Sequence, residues 1–189
     1  MLVPNLSFMV SSVSRLLIIS DTHDNLAAID DLIKCLKIGG YTYDSVIHLG
    51  DIVSPFTLRK LINELEAPMT AIFGNNDGDK PLLKSILPGI ADPPVTVEWR
   101  GRRALLLHGF KSPEMTEFFV NSLASGRAYD IILYGHTHLA RVTRINNTLV
   151  INPGTVSGYV SGKRTFAILD TEKLDAEIVD IDRCLTKEL

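Results

Sequence analysis

Asp21, Asp51, Asn75, His108 and His136 each follow closely on a separate short apolar run, and His23 and His138 lie two residues beyond the first and last of them. Pooled, they offer two carboxylates, one amide and four imidazoles. That is too many donors for one tetrahedral ion and suits two ions sharing a bridge. Mixed nitrogen and oxygen donors favour Mn, Fe, Zn, Co or Ni over an all-oxygen Mg or Ca site. In extended chain, Asp21 and His23 would project to the same side, and His136 and His138 would repeat that geometry in Gly135-His136-Thr137-His138. Gly50, Gly74 and Gly135 are expected to let the backbone turn sharply and approach closely. The remaining histidine, His48, lies inside an apolar run and reads as a hydrogen-bonded structural residue.

Residues so scattered need a scaffold that gathers them. Leu16-Leu17-Ile18-Ile19 ends at Ser20-Asp21, Val46-Ile47-His48-Leu49 ends at Gly50-Asp51, and residues 69–73 end at Gly74-Asn75; each reads as a buried strand. Between them, Leu26, Ile29, Ile33 and Leu36 recur at helical spacing up to Gly39-Gly40, as do Leu58, Leu61, Ile62 and Leu65. This order predicts βαβ units and a largely parallel sheet. Val95, Val97 and Trp99 then alternate, Gly101 turns the chain, and residues 104–107 return as a hairpin ending at His108. Met115, Phe118, Phe119 and Leu123 mark a third helix, and residues 131–134 another buried strand. From Ala140 onward only strands are expected, with a hairpin turn at Asn146-Asn147 and a loop at Asn152-Pro153-Gly154. The five leading residues are 30, 24, 33 and 28 positions apart, each about one strand plus its connection. They are therefore expected at one shared edge, the carboxyl ends of the strands, where such sheets bind ligands.

Composition narrows the classes. The 189 residues fit one domain: residues 15–189 are expected to form it, with residues 1–14 an N-terminal extension and Met9 an alternative start. With 46% apolar and 22% charged residues, the chain is neither disordered nor fibrous. A net charge of −3 gives no pull towards nucleic acid or anionic membrane, and no apolar run nears the ~18 residues of a membrane span, so neither partner is expected. Residues 1–14 lack a basic start, and Pro4 and Asn5 interrupt their apolar part, which argues against a secretory signal and for a cytoplasmic location. Cys35 and Cys184 form no Cys-x-x-Cys pair and suggest a reducing compartment, with Cys35 a small core residue. Arg100, Arg102 and Arg103 flank Gly101 and read as a solvated turn rather than a phosphate-binding patch. The mean hydropathy of +0.17 fits apolar surface buried between subunits, which favours a homodimer.

In the order D-x-H, G-D, G-N, H and G-H-x-H, the sequence resembles the calcineurin-like metallophosphoesterases. Within them it is similar to the small single-domain bacterial and archaeal phosphodiesterases of the YfcE type. The resemblance rests on Ser20-Asp21-Thr22-His23, His48-Leu49-Gly50-Asp51, Gly135-His136-Thr137-His138 and Ile151-Asn152-Pro153-Gly154, and spans roughly residues 15–182. It implies an α/β fold of mixed α+β character, a four-layer αββα sandwich with the late strands forming a second sheet packed on the first. It also implies one ion held by Asp21, His23 and His138, a second held by Asn75, His108 and His136, and Asp51 bridging the two. Two divalent transition-metal ions are expected, manganese first, with Ni, Fe, Co or Zn as alternatives.

One position departs from the family pattern. Its G-N-H-[DE] reads Gly74-Asn75-Asn76-Asp77 here, so an amide stands where the family usually has a histidine. An amide donates a hydrogen bond but is no general acid at neutral pH, which disfavours poor leaving groups. Asp77, the usual partner of that histidine, is left to brace the loop. Two divalent ions, two carboxylates and a bridging hydroxide leave a net charge of about +1, suited to an anionic phosphate ester. The expected activity is hydrolysis of a small-molecule phosphodiester by in-line attack of that hydroxide, with Asp51, Asn75 and Asn76 as the catalytic set. The alternatives are a phosphomonoesterase and a non-catalytic, metal-binding protein-interaction scaffold of the same fold.

Overall fold

The computed structural model describes residues 14–186. The expected extension lies outside the described residues except for Ser14, whose backbone N–H donates to Asp44 Oδ2 at 2.7 Å and whose carbonyl accepts from Thr171 N at 2.9 Å.

The apolar run at residues 16–19 becomes β1 (Arg15–Ile19), with both faces buried, as an uninterrupted apolar strand requires. Leu16 and Ile18 point into a core shared with the other sheet, and Leu17 and Ile19 point towards the helices. After β1 come α1 (Leu26–Ile38), β2 (Ser45–His48), α2 (Pro55–Leu65) and β3 (Met69–Ala71). β1, β2 and β3 are parallel, in agreement with the βαβ reading. A short helix unmarked in the sequence, α3 (Lys80–Ile86), follows and buries Leu83 against Ile52, Leu58 and Phe73.

The second sheet begins with the hairpin β4 (Val95–Trp99) and β5 (Arg102–Leu107), turned at Arg100-Gly101. Arg100 pairs with Glu172 at 2.9 Å and Arg103 lies over the Tyr129 ring, the solvated turn expected. Then come α4 (Pro113–Ser125), β6 (Ile131–Tyr134) and the hairpin β7 (Arg141–Ile145) with β8 (Thr148–Asn152). The sheet runs β4-β5-β6-β8-β7. Its inner residues Leu106, Leu133 and Ile151 meet Leu16, Ile18 and Ile47 of the first sheet. α1, α2 and a late helix, α5 (Ile181–Leu185), cover the outer face of the first sheet and α4 that of the second, which gives four layers.

Four expectations need correction. The late strands divide between the sheets: β7 and β8 join the second, but β9 (Thr165–Asp170) and β10 (Asp175–Asp180) return to the first. β9 pairs antiparallel with β1 and so satisfies the backbone groups on the edge of β1 opposite β2. The last element among the described residues is then a helix, not a strand: α5 (Ile181–Leu185). There Cys184 meets Cys35 of α1 in a disulfide with Cα atoms 5.7 Å apart, because the packing of α5 on α1 closes a separation of 149 residues. Finally, α4 forms where expected, but its buried face is Thr116, Val120 and Ala124. The stripe that marks it in the sequence is largely outside, with Phe118 69%, Phe119 46% and Met115 44% exposed. The smaller residues let the helix lie close on Leu105, Leu107 and Ile132.

Candidate metal centre

The loops after β1, β2, β3, β5 and β6 converge at the seam between the two sheets, and all seven pooled residues lie on them or just beyond. Each of the first four loops is closed by a helix cap. Asn25 accepts from Ala28 N at the start of α1, Ser54 from Thr57 N at α2, Asp79 from Leu82 N at α3 and Ser112 from Met115 N at α4.

Asp21 and His23 come together, but not through extended chain. Asp21, His23, Asp51, His136 and His138 all have φ between +43° and +68°, in the left-handed region that non-glycine residues seldom occupy. Each costs of order 1 kcal/mol or more, which the surroundings must over-determine. They do so here. Asp21 N donates to Gly50 O at 3.0 Å and His23 N to Asp51 O at 3.1 Å. Asp21 O accepts from Ser157 N and Thr155 Oγ1, and Asp21 Oδ2 accepts from Ser20 Oγ at 2.5 Å. Gly74 permits a close approach, since a Cβ there would lie 2.2 Å from Asp51 Oδ1.

Asp77 braces the centre, as expected. Oδ2 accepts from Asp51 N at 3.1 Å and Gly74 N at 2.6 Å, and Oδ1 accepts from Val53 N at 2.6 Å. Asp24 ties the first loop to the second by accepting from Ser54 N and Thr57 Oγ1. Asn152 does the same for the histidine pair, donating to Gly135 O and Thr137 Oγ1. His48 is fully buried; Gly50 N donates to its Nδ1, which leaves Nε2–H for Thr22 Oγ1 at 3.2 Å. Burial holds its pKa down at about 4, so it stays neutral, the structural role expected of it.

The imidazoles carry the chemistry. His108 Nδ1 donates to Leu49 O at 2.7 Å, His138 Nδ1 to Tyr159 O at 2.8 Å, and His136 Nε2 to Lys111 O at 3.0 Å. Each carbonyl fixes a tautomer and leaves the opposite nitrogen with a lone pair facing inward. His138 Nε2 lies 3.2 Å from Asp21 Oδ1, with His23 Nε2 3.3 Å from His138 Nε2 and 3.5 Å from Asp51 Oδ2. His108 Nε2 is 3.3 Å from Asp51 Oδ2 and 3.1 Å from Asn75 Oδ1, which is itself 2.9 Å from His136 Nδ1. Acceptors thus face acceptors, and among the described residues Asp21 Oδ1 is buried with no hydrogen-bond donor. Cations resolve that conflict. The groups Asp21, His23, His138 and Asp21, Asp51, His108 each bring their donor atoms within 4.8 Å of one another, and the donor set fits divalent ions. Asn76 sits against the same carboxylate, with N donating to Asp51 Oδ1 at 2.7 Å and Nδ2 to Asp51 Oδ2 at 2.8 Å. Among these supports, the backbone carbonyls of Leu49, Lys111 and Tyr159 left no signal of residue type.

Without cations, protons take their place. Burial opposes the charge on Asp21 and Asp51, but the neighbouring imidazoles hold both carboxyls below the usual range. Burial likewise opposes protonation of His108 and His138, but Asp51 beside the first and Asp21 beside the second raise both above 6.5. The carboxylates stabilise the metal-free fold above about pH 3.8 and lose that contribution as pH falls through their lowered values. The histidines stabilise it below about pH 6.5 and lose theirs as pH rises through their raised values. From pH 6 to pH 8 the melting temperature of metal-free protein is therefore expected to fall, while affinity for Mn²⁺ rises because fewer protons must be displaced. Calorimetric titration in buffers of different ionisation heat checks this; an affinity that does not change with pH would contradict it.

The match to known proteins covers most of the chain. The model of the calcineurin-like phosphoesterase superfamily domain matches residues 15–174. The phosphodiesterase MJ0936 of Methanocaldococcus jannaschii is 37% identical over 161 residues, 82% of this chain and 92% of that protein. The phosphodiesterase YfcE of Escherichia coli K12 is 25% identical over 180 residues, covering 85% and 89%. A solved archaeal phosphodiesterase superposes with a TM-score of 0.74 at 33% identity, over 88% of this chain and 99% of that one.

Proposed function

The chain belongs to the calcineurin-like phosphoesterase superfamily, and from that membership we propose a metal-dependent phosphodiesterase whose centre is built by Asp21, His23, Asp51, Asn75, His108, His136 and His138. The observation that carries this reading is the set of imidazoles turned inward by backbone carbonyls towards oxygens that have no donor to offer them. In the proposed division, Asp21, His23 and His138 hold one divalent ion, Asn75, His108 and His136 hold the other, and Asp51 touches both. Manganese is the proposed occupant, with Ni, Fe, Co or Zn able to use the same donors. When bound, such ions lower the pKa of a shared water and draw charge from phosphoryl oxygens.

The chain's own residues do the rest. Asp21 and Asp51 supply two negative charges and the imidazoles none when neutral, so the loaded centre retains net positive charge for an anionic ester. Asn76 holds Asp51 in place from both its nitrogens and remains a neutral donor beside the reacting group. It cannot protonate a departing oxygen. A diester fits this centre better than a monoester, because one substituent leaves while the residual charge stays low. Manganese-loaded protein is therefore expected to hydrolyse bis(p-nitrophenyl) phosphate faster than p-nitrophenyl phosphate. Monoester turnover far above diester turnover would overturn the assignment.

We take residues 15–189 as one domain, acting on a small molecule, with a homodimer as the proposed assembly. Among the described residues no helix is long and apolar enough to cross a membrane. The cytoplasm is the proposed setting, and the Cys35–Cys184 disulfide is the observation that weighs against it.

A further inference from the structure

A cavity of about 210 Å³ lies between the end of β5, the start of α4 and the loop before β4. Pro93, Pro94, Leu107 and Val120 form apolar walls, and the half-exposed rings of Phe110 and Phe119, with centroids 6.2 Å apart, complete it. His108 also lines it, so one imidazole belongs to both the cavity and the metal centre. We propose that this cavity receives an apolar aromatic substituent of the phosphodiester, which makes aryl phosphodiesters the substrate class; the inference rests on the phosphodiesterase reading.

Three observations lead there. The first is size: an apolar cavity of ~150 Å³ accommodates benzene, so this one holds a single ring with a small substituent. The second is polarity. Among the lining residues, the Thr116 hydroxyl is already committed, accepting from Phe110 N at 2.8 Å and donating to Phe110 O at 3.1 Å. A nucleobase would find few partners for its polar edge among these mostly apolar walls, whereas a carbocyclic ring needs none. The third is the chemistry of Asn76. As a hydroxide oxygen bonds to phosphorus, the P–O bond to the substituent breaks, its electron pair stays on the departing oxygen, and solvent water supplies the proton that the amide cannot. An aryloxide tolerates that charge and an alkoxide does not. The outward-facing large residues of α4 thus acquire a use: Phe119 walls the cavity, while Phe118 stands outside it.

Two measurements test this. In metal-free protein, p-nitrophenol is expected to shift the methyl resonances of Leu107 and Val120, and Phe119→Ala to weaken that binding about tenfold, with Phe118→Ala unchanged. In manganese-loaded protein, phenylphosphonate is expected to inhibit bis(p-nitrophenyl) phosphate hydrolysis at least ~10-fold more strongly than methylphosphonate, a preference that Phe119→Ala erases. Turnover with equal inhibition by the two phosphonates, or p-nitrophenol that leaves those methyls unmoved, would overturn the cavity assignment and leave the phosphodiesterase reading intact. Absence of diester turnover in loaded wild type would instead overturn the phosphodiesterase reading, and the aryl-substrate assignment with it.

Discussion

Asp51→Asn is expected to lower kcat/KM for a phosphodiester by ~10³-fold or more while leaving the fold in place. Asp51 is 1% exposed and lies within 3.5 Å of an imidazole from each half of the centre, His23 and His108. The amide keeps the size of the side chain but removes the charge. One of its two terminal atoms also becomes a donor, although both oxygens now accept from Asn76. The backbone around it is held independently, because Asp51 N donates to Asp77 and Asp51 O accepts from His23 N. Turnover should therefore collapse while the circular dichroism spectrum stays native, although the metal-free melting temperature falls because the variant loses the pairing with His108 and one hydrogen bond from Asn76. A variant within tenfold of wild type would remove Asp51 from the bridging position.

Asp77→Ala should act the other way round, through stability first. The carboxylate takes three backbone N–H groups from two different loops, and its side chain is 5% exposed. Truncation leaves those donors buried without acceptors and costs about 3 kcal/mol or more. For a chain of this size that corresponds to a melting temperature roughly 6–12 °C lower. The left-handed conformation of Asp51 loses its clamp as well, so Mn²⁺ affinity should fall about 10- to 100-fold. Asp77→Asn keeps one acceptor oxygen and should fall between the two. An Asp77→Ala protein that melts with wild type and binds Mn²⁺ as tightly would show that the loops hold themselves.

What the sequence disclosed, and what it hid, follows from which forces are local. The five strand ends were legible because a strand buried on both faces needs an unbroken apolar run, and polar residues at its end stand out against it. Their meeting was legible only in part. Parallel strands share a carboxyl edge within each sheet, which groups Asp21, Asp51 and Asn75 on one edge and His108 and His136 on the other. Only the packing of the two sheets brings those edges together. The left-handed turns were not legible, because Asp21 and His136 take them up through distant partners such as Gly50 O and Asp21 Oδ2. The disulfide was hidden for the same reason, as only the docking of α5 on α1 brings Cys184 to Cys35. In α4, periodicity identified the helix but not its inner face: Met115, Phe118 and Phe119 form the larger apolar stripe, yet Thr116, Val120 and Ala124 allow the closer approach to the sheet. Hydrophobicity alone cannot separate a face that packs from one that binds. Asn76 was the opposite case, a single departure from a family pattern whose consequence could be drawn from the chemistry of an amide.

The most direct test of the central claim is to titrate metal-stripped protein with Mn²⁺ and follow bound metal and bis(p-nitrophenyl) phosphate hydrolysis in the same sample. The account predicts two ions per chain and turnover that appears with the second. Two ions bound with no turnover, or full turnover in protein that binds none, would contradict it.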